Sequence, residues 1–432
     1  MKIIFYYLVA ALLVPALAFA ETELYVQGAG KLVPIALPQL CLQSGSSTAN
    51  REIPEVAARD LSLSGFFEVL NPNSFVETPG KCGGPEQLAY SDWSVIGAEG
   101  LVRGIVSNAP GGGTKVQLFL YDVSKQKMVL GKEYEGDASQ TNKIAHKFAN
   151  EIMRYFTGEA GPFGTQIAFS SKVGRFKELF MMDMDGSNLR QLTDDRSLAV
   201  SPSWSATGKQ ILYTSYRKRM PDLFVFDIAG RRGSQLTQGP EMELGARYSN
   251  DGSKVVISST AAQDSDIALI NAKGKIIQKL TTANGAIDVS PDWSPDDSKI
   301  VFCSNRSGGP QIYVMGADGS IPHRISFVTS NYCTSPRWSP KGDKIAFVCR
   351  SDGGFQLFVS GIDGSNALQL TSGGDNEDPD WSPDGRYLIF STTMGGKGAA
   401  SLALMRSDGS NMKRLTTSRG GDSQPSWGPV LP

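Results

Sequence analysis

The second half of the chain repeats itself, and the length of the repeat restricts the fold more than any other feature. The segment Pro202-Ser-Trp-Ser-Ala-Thr-Gly208 returns as Pro336-Arg-Trp-Ser-Pro-Lys-Gly342 and as Pro379-Asp-Trp-Ser-Pro-Asp-Gly385. It returns again as Ala246-Arg-Tyr-Ser-Asn-Asp-Gly252, with Tyr248 in place of Trp, and as Pro291-Asp-Trp-Ser-Pro-Asp-Asp297, with Asp297 in place of Gly. A last copy, Pro425-Ser-Trp-Gly-Pro429, stands near the C-terminus. The aromatic landmarks at 204, 248, 293, 338, 381 and 427 lie 44, 45, 45, 43 and 46 residues apart. A second landmark, Leu192-Thr193, recurs as Leu236-Thr237, Leu280-Thr281, Ile325-Ser326, Leu370-Thr371 and Leu415-Thr416. That spacing is the length of one four-stranded propeller blade. Two further apolar runs fill each interval, as in Lys299-Ile-Val-Phe-Cys-Ser304 and Gln311-Ile-Tyr-Val-Met315. Many of the 47 Gly sit beside Asp, Asn or Ser, which suits tight turns between short strands.

The ends of the array predict a closed ring. The first repeat opens at Ile167-Ala-Phe-Ser170, which matches the second strand of the unit, and no Trp strand precedes it. The spare Trp strand lies around Trp427. An open array would expose two strand edges and would need capping repeats. Pairing the C-terminal strand with the first repeat removes those edges and predicts six blades. The recurring aromatics then fill the wedges between blades. Asp183-Met-Asp-Gly-Ser-Asn188 begins like a calcium loop but lacks its third acidic position and distal Glu. It occupies the hairpin position of Asp363-Gly364 and Asp408-Gly409, so a turn is expected there.

The fold class predicted is therefore mixed: an N-terminal α/β domain at residues 21–161, then an all-β six-bladed propeller at 162–432, closed by a C-terminal strand. In the first part, residues 32–37, 66–70, 100–106, 116–121 and 128–134 read as strands. Residues 55–64 read as a helix stopped at Gly65. A second helix runs to Thr157 with Ile144, Phe148, Ile152 and Tyr155 on one face, Ser139 or Thr141 as its cap, and Gly158 as its stop. Residues 1–20 read as a secretion signal: Lys2, an apolar run over 3–17, then Ala18-Phe19-Ala20 for cleavage. The competing reading is an uncleaved anchor. No Cys follows the apolar run at the cleavage point, so no lipid anchor is expected there, and no later segment is apolar and long enough to span a bilayer.

Charge and chemistry narrow the function. Lys and Arg total 42 against 43 Asp and Glu, which excludes a general nucleic-acid binder. In an exported chain Cys41 could pair with Cys82, and Cys333 with Cys349, leaving Cys303 free; buried reduced cysteines are the alternative. Of the two His, His146 sits among polar neighbours and reads as solvent-facing, and His323 lies near a turn of blade 4. There is no Gly-x-Ser-x-Gly, no His-Glu-x-x-His and no Cys-x-x-Cys. Pro110-Gly-Gly-Gly-Thr-Lys115 lacks phosphate-loop spacing and is expected to join two strands. No catalytic residue, metal or cofactor is nominated.

The Trp-Ser-Pro-Asp-Gly repeats behind a signal and an α/β domain resemble the TolB family of the bacterial Tol–Pal envelope system. Val56-Ala-Ala-Arg-Asp-Leu61 with Ser64-Gly-Phe-Phe-Glu-Val69 is similar to the family's first helix–strand unit. Asp92-Trp93-Ser94 with Gly97-Ala-Glu-Gly-Leu-Val102, and Phe163-Gly-Thr-Gln-Ile-Ala-Phe169 after Thr157-Gly158, are also similar to family segments. The resemblance implies a periplasmic adaptor. One propeller face would bind the peptidoglycan-associated lipoprotein Pal, and the mature N-terminus would bind TolA, an inner-membrane protein. Together they would maintain the outer membrane and its invagination at division, and in some species colicins exploit the same face. The alternative is a secreted propeller enzyme such as a polysaccharide lyase.

The loops leading into the innermost strands crowd the channel mouth and differ between copies, as recognition loops do. They nominate Leu198, Ala199, Met242, Glu243, Asp288, Val289, Tyr332, Cys333, Asn376, Glu377, Asp422 and Ser423 for Pal. Their acids make a basic partner surface or a channel cation conceivable. Glu21, Thr22, Glu23, Leu24, Tyr25 and Val26, within a TolA-interacting segment near residues 21–30, stand where the family binds TolA.

Overall fold

A computed structural model describes residues 31–431 apart from 46, 83–87, 240, 262–263, 283–284, 352, 396–398 and 417–420. The signal and the segment from Glu21 to Val26 lie outside the described residues.

The N-terminal part is built from β1 (Val33–Ala36), β2 (Cys41–Leu42), α1 (Ala49–Ser64), β3 (Phe67–Val69), α2 (Tyr90–Val95), β4 (Gly100–Asn108), β5 (Thr114–Asp122), β6 (Lys127–Gly136) and α3 (Thr141–Thr157). The sheet order is β3-β1-β4-β5-β6, with β2 also paired to β4. The first three are parallel, and β4-β5-β6 form an antiparallel meander. The Gly-rich segment 110–113 joins β4 to β5, as expected.

The helices differ from the sequence reading in instructive ways. Helix α1 starts at Ala49, six residues before the expected start, because it runs through Pro54. Proline within a helix strands the carbonyl four residues back. Here that carbonyl is on Asn50, and the Leu40 amide donates to it at 2.9 Å. Helix α1 stops at Gly65 (φ 71°), and α3 stops at Gly158 (φ 81°), whose amide donates to the Arg154 carbonyl. Neither Ser139 nor Thr141 caps α3: Gln140 is the cap residue, and Ser139 is tied to Asp137 in a preceding turn. Tyr155 leaves the buried face of α3 and donates instead to Asp122. His146 is buried rather than solvent-facing, with Nδ1 2.7 Å from Asp60 Oδ2 on α1. Its polar neighbours in sequence point away because only one face in three or four meets a packing partner.

Six four-stranded antiparallel sheets follow. Blade 1 is completed by Ser423–Trp427, which pairs with Gln166–Val173 (Ser426↔Ala168, Trp427↔Ile167). The ring is thus closed by the predicted strand. Trp indoles stitch neighbouring blades: Trp204 donates to the Ser426 carbonyl, Trp293 to that of Arg247 and Trp381 to that of Arg337. Where Asp297 replaces the repeat's Gly it keeps the left-handed backbone (φ 57°), and its carboxylate accepts from the Asn250 and Asp251 amides of blade 3. The Asp183–Asn188 carboxylates are engaged by Ser187 and Asn188 of their own turn, and by Gln166 and Arg59 beside it.

The two parts share one core. An apolar cluster runs from Ile53 and Leu61 of α1 and Phe148 and Ile152 of α3 to Phe169, Ile389, Leu404 and Trp427 of the propeller. The last carbonyls of α1 have no partner within their helix. Blade 6 supplies them: Lys413 donates to Ser62, Asn411 to Leu63 and Tyr387 to Ser64.

Candidate partner-docking face

Each innermost strand enters the ring from the same face, and each carries one irregularity. The pairing register slips between Val200 and Ser203, Leu244 and Arg247, Val289 and Asp292, Thr334 and Arg337, Glu377 and Asp380, and Ser423 and Ser426. The bulged residue is left-handed every time: Ser201 (φ 53°), Gly245 (60°), Ser290 (56°), Ser335 (51°), Asp378 (53°) and Gln424 (54°). A bulge re-aims the side chains beside it. Five of the six are followed by Pro, which cannot donate to a ladder. That recurring Pro was the sequence signal for the bulge. Local bonds support the strained backbone: Gln424 Oε1 accepts from the Ser201 amide, and Asp378 Oδ2 from the Gln424 amide.

These residues line a channel cavity of about 150 Å³. Arg247 borders it and also a wider cavity of about 310 Å³ beyond, which is ringed by the Trp residues. Asp380 lies 3.9 Å from Arg247 and 3.7 Å from Arg337, so charge is paired across the constriction. Asp292 accepts from the Trp338 amide at 2.8 Å, and burial raises its pKa.

Counting back from the bulge sorts the nominated residues. Two positions before it stand Ala199, Glu243, Asp288, Cys333, Asn376 and Asp422, and all are buried. They do not reach the surface, because this position of the pleat points into the blade. Asp288 is held by Arg306 at 2.8 Å, Asn376 by Thr392 and Asp422 by Ser171. Glu243 accepts from Thr237, and burial pushes its carboxyl up to about 7. Cys333 is bonded to Cys349, and Cys41 to Cys82, while Cys303 is free and buried. One position before the bulge, Val289, Glu377 and Ser423 are half-buried at the channel mouth. Burial, then Asp378 and Asp375, raise the Glu377 carboxyl.

Three positions before the bulge, Leu198 and Tyr332 are 41% and 40% exposed and Met242 is half-buried. Ile287 holds the same place in blade 4 and is 46% exposed. It was missed in the sequence, although 198, 242, 287 and 332 keep the repeat spacing. The four form an apolar crescent on successive blades; Asp375 and Gly421 complete the circle. Among the described residues no group of three or more His, Cys, Asp or Glu is placed to hold a metal ion, and no helix is long and apolar enough to cross a membrane.

Comparison with known proteins places this architecture. The profile of the TolB beta propeller domain matches residues 153–431, and that of the TolB amino-terminal domain matches 26–129. The chain is 37% identical over 197 residues to the Tol-Pal system protein TolB of Anaeromyxobacter dehalogenans (strain 2CP-C), and 32% identical over 206 residues to that of Syntrophotalea carbinolica. The first match covers 45% of both chains; the second covers 47% of this chain and 48% of its relative. The matched stretches thus span about half the length of these relatives. The crystal structure of TolB from Acinetobacter baumannii superposes with a TM-score of 0.79 at 23% identity, over 93% of this chain and 98% of that one, which is a likeness of fold. With both of its parts matched in order along the sequence, the chain belongs to the TolB family.

Proposed function

We propose that this protein is a periplasmic adaptor of the Tol–Pal system, freed by cleavage near Ala20. The observation that carries the reading is the apolar crescent of Leu198, Met242, Ile287 and Tyr332 at equivalent places around one channel mouth. Exposed apolar side chains gathered in one patch mark a binding surface. The partner in this reading is a Pal-like lipoprotein, docked on the crescent with Val289, Glu377 and Ser423 at its inner edge. The buried Ala199, Glu243, Asp288, Cys333, Asn376 and Asp422 act from beneath by fixing the strand ends. The segment Glu21 to Val26 serves a TolA-like inner-membrane protein. Such a link would hold the outer membrane and draw it inward at division, and colicins could borrow the same face. The relatives' name, Tol-Pal system protein, favours an adaptor over an enzyme.

The test is capture of the Pal-like lipoprotein's soluble part by the mature chain. A complex is expected, and I287A/Y332A should weaken it about tenfold or more, because central aromatic and apolar anchors dominate interface energy. Failure of the two folded proteins to associate would sink the proposal.

A further inference from the structure

We propose that the hairpins joining the second and third strands of blades 1 and 2 form a basic surface, which adjoins the crescent through Leu198 and docks on a membrane bearing anionic, phosphate-containing headgroups. The hairpin joining Gln166–Val173 to Phe176–Asp183 carries Lys172 and Arg175, both exposed. The hairpin joining Gln210–Lys218 to Met220–Asp227 carries Lys218 and Arg219, also exposed. The segment between the blades draws the two hairpins together. Lys177 donates its amide to the Ser197 carbonyl at 3.0 Å, and Tyr216 donates to Leu198 at 3.0 Å. That segment adds Arg196, again exposed.

The acids nearby do not neutralise this surface. Asp195 is engaged by Arg217 at 2.9 Å and by Ser215. Glu178 is buried and accepts from Thr193 and from the Asp195 and Arg196 amides. Asp194 faces Arg196 alone, at 3.8 Å. Lys172, Arg175, Lys218 and Arg219 meet no carboxylate among the described residues. On a chain with a net charge of −1 this is a local excess of one sign. Ordinary solvated faces intersperse the two signs.

Apolar side chains stand among the cations. Val173 is 39% exposed, Leu198 41% and Met220 42%. Cations on the same hairpins as exposed apolar side chains suit a lipid surface, where phosphates meet the cations and the apolar side chains enter the headgroup layer. A soluble phosphate would need a concave site instead, and the two hairpins offer tips. The proposal goes beyond the adaptor reading and does not need it, since lipid vesicles contain no protein partner.

The experiment is co-sedimentation of the mature chain with vesicles of phosphatidylcholine alone or mixed with phosphatidylglycerol. Binding is expected only to the mixed vesicles, and it should fall as salt is raised. Each basic side chain at an anionic surface contributes roughly a fivefold factor, so K172E/K218E/R219E should lower binding about a hundredfold or more. The milder K218Q/R219Q should lower it less, with thermal unfolding unchanged in both. K273E/K275E, in the exposed turn at the other end of blade 3, should bind like wild type. Absence of binding to the mixed vesicles, or binding that the triple reversal leaves intact, overturns the proposal.

Discussion

At the scale of single residues, the buried pair of His146 and Asp60 is the least expected feature. Asp60 is fully buried, and its second oxygen has no partner among the described residues. Burial raises its pKa to about 6, against the pull of His146. Burial alone would lower His146, but the bond and charge of Asp60, with Asp185 and Asp183 of the propeller nearby, raise it. Arg59 bridges to Asp185 at 3.2 Å beside them. Both shifts are upward, so the folded chain holds the pair's protons more tightly than the unfolded chain does. The stabilisation is complete below the unfolded values and is lost as pH rises through the folded ones. The stability difference between wild type and D60N/H146Q should therefore shrink as pH is raised from about 5 to about 8, read by denaturant midpoints. A difference independent of pH would contradict the coupling. Sequence could not find this pair, because Asp60 and His146 meet only when α1 packs on α3.

The informative element is the innermost strand. Its aromatic, its turn and its period are legible in the repeat, since each blade solves the same packing problem. Its bulge is written only as a recurring Pro. The sixth copy, Ser423–Trp427, closes the ring, and Trp427 is buried with its indole donating to Thr165. Its backbone amide donates to Asp380 of blade 6, so this strand joins both sides of the seam. Trp427→Ala should cost about 3–5 kcal/mol by cavity formation, and urea unfolding would measure it. Gel filtration of that variant should show association through the loosened edge of Gln166–Val173. Full stability and a monomeric profile would mean that closure rests elsewhere.

For the whole molecule, the seam between the N-terminal part and the propeller is core rather than linker. Apolar residues of α1, α3 and strands of blades 1 and 6 form one cluster, and blade 6 caps α1. Arg386 adds bonds to Thr157 and the Ala160 carbonyl, and its guanidinium faces Phe66 along with that of Arg406. Two bodies joined by a loose linker would melt separately. Here calorimetry should show one transition, with the calorimetric and van't Hoff enthalpies agreeing. Two resolved transitions would place the seam outside the cooperative unit.

The sequence by itself determined the blade number, the strand that closes the ring and the helix stops at Gly65 and Gly158, and it left the pairs Cys41–Cys82 and Cys333–Cys349 as one of two open readings that the structure decided. These follow from period and local backbone preference, which neighbours in the chain already express. Tertiary structure alone decided that the buried His146 faces Asp60, that Pro54 lies inside a helix because Leu40 satisfies Asn50, and that half of the nominated rim residues point inward. It also placed Ile287 among the exposed ones. Each of these depends on which side of a strand or helix meets another element, and a one-residue bulge changes that side without changing the repeat.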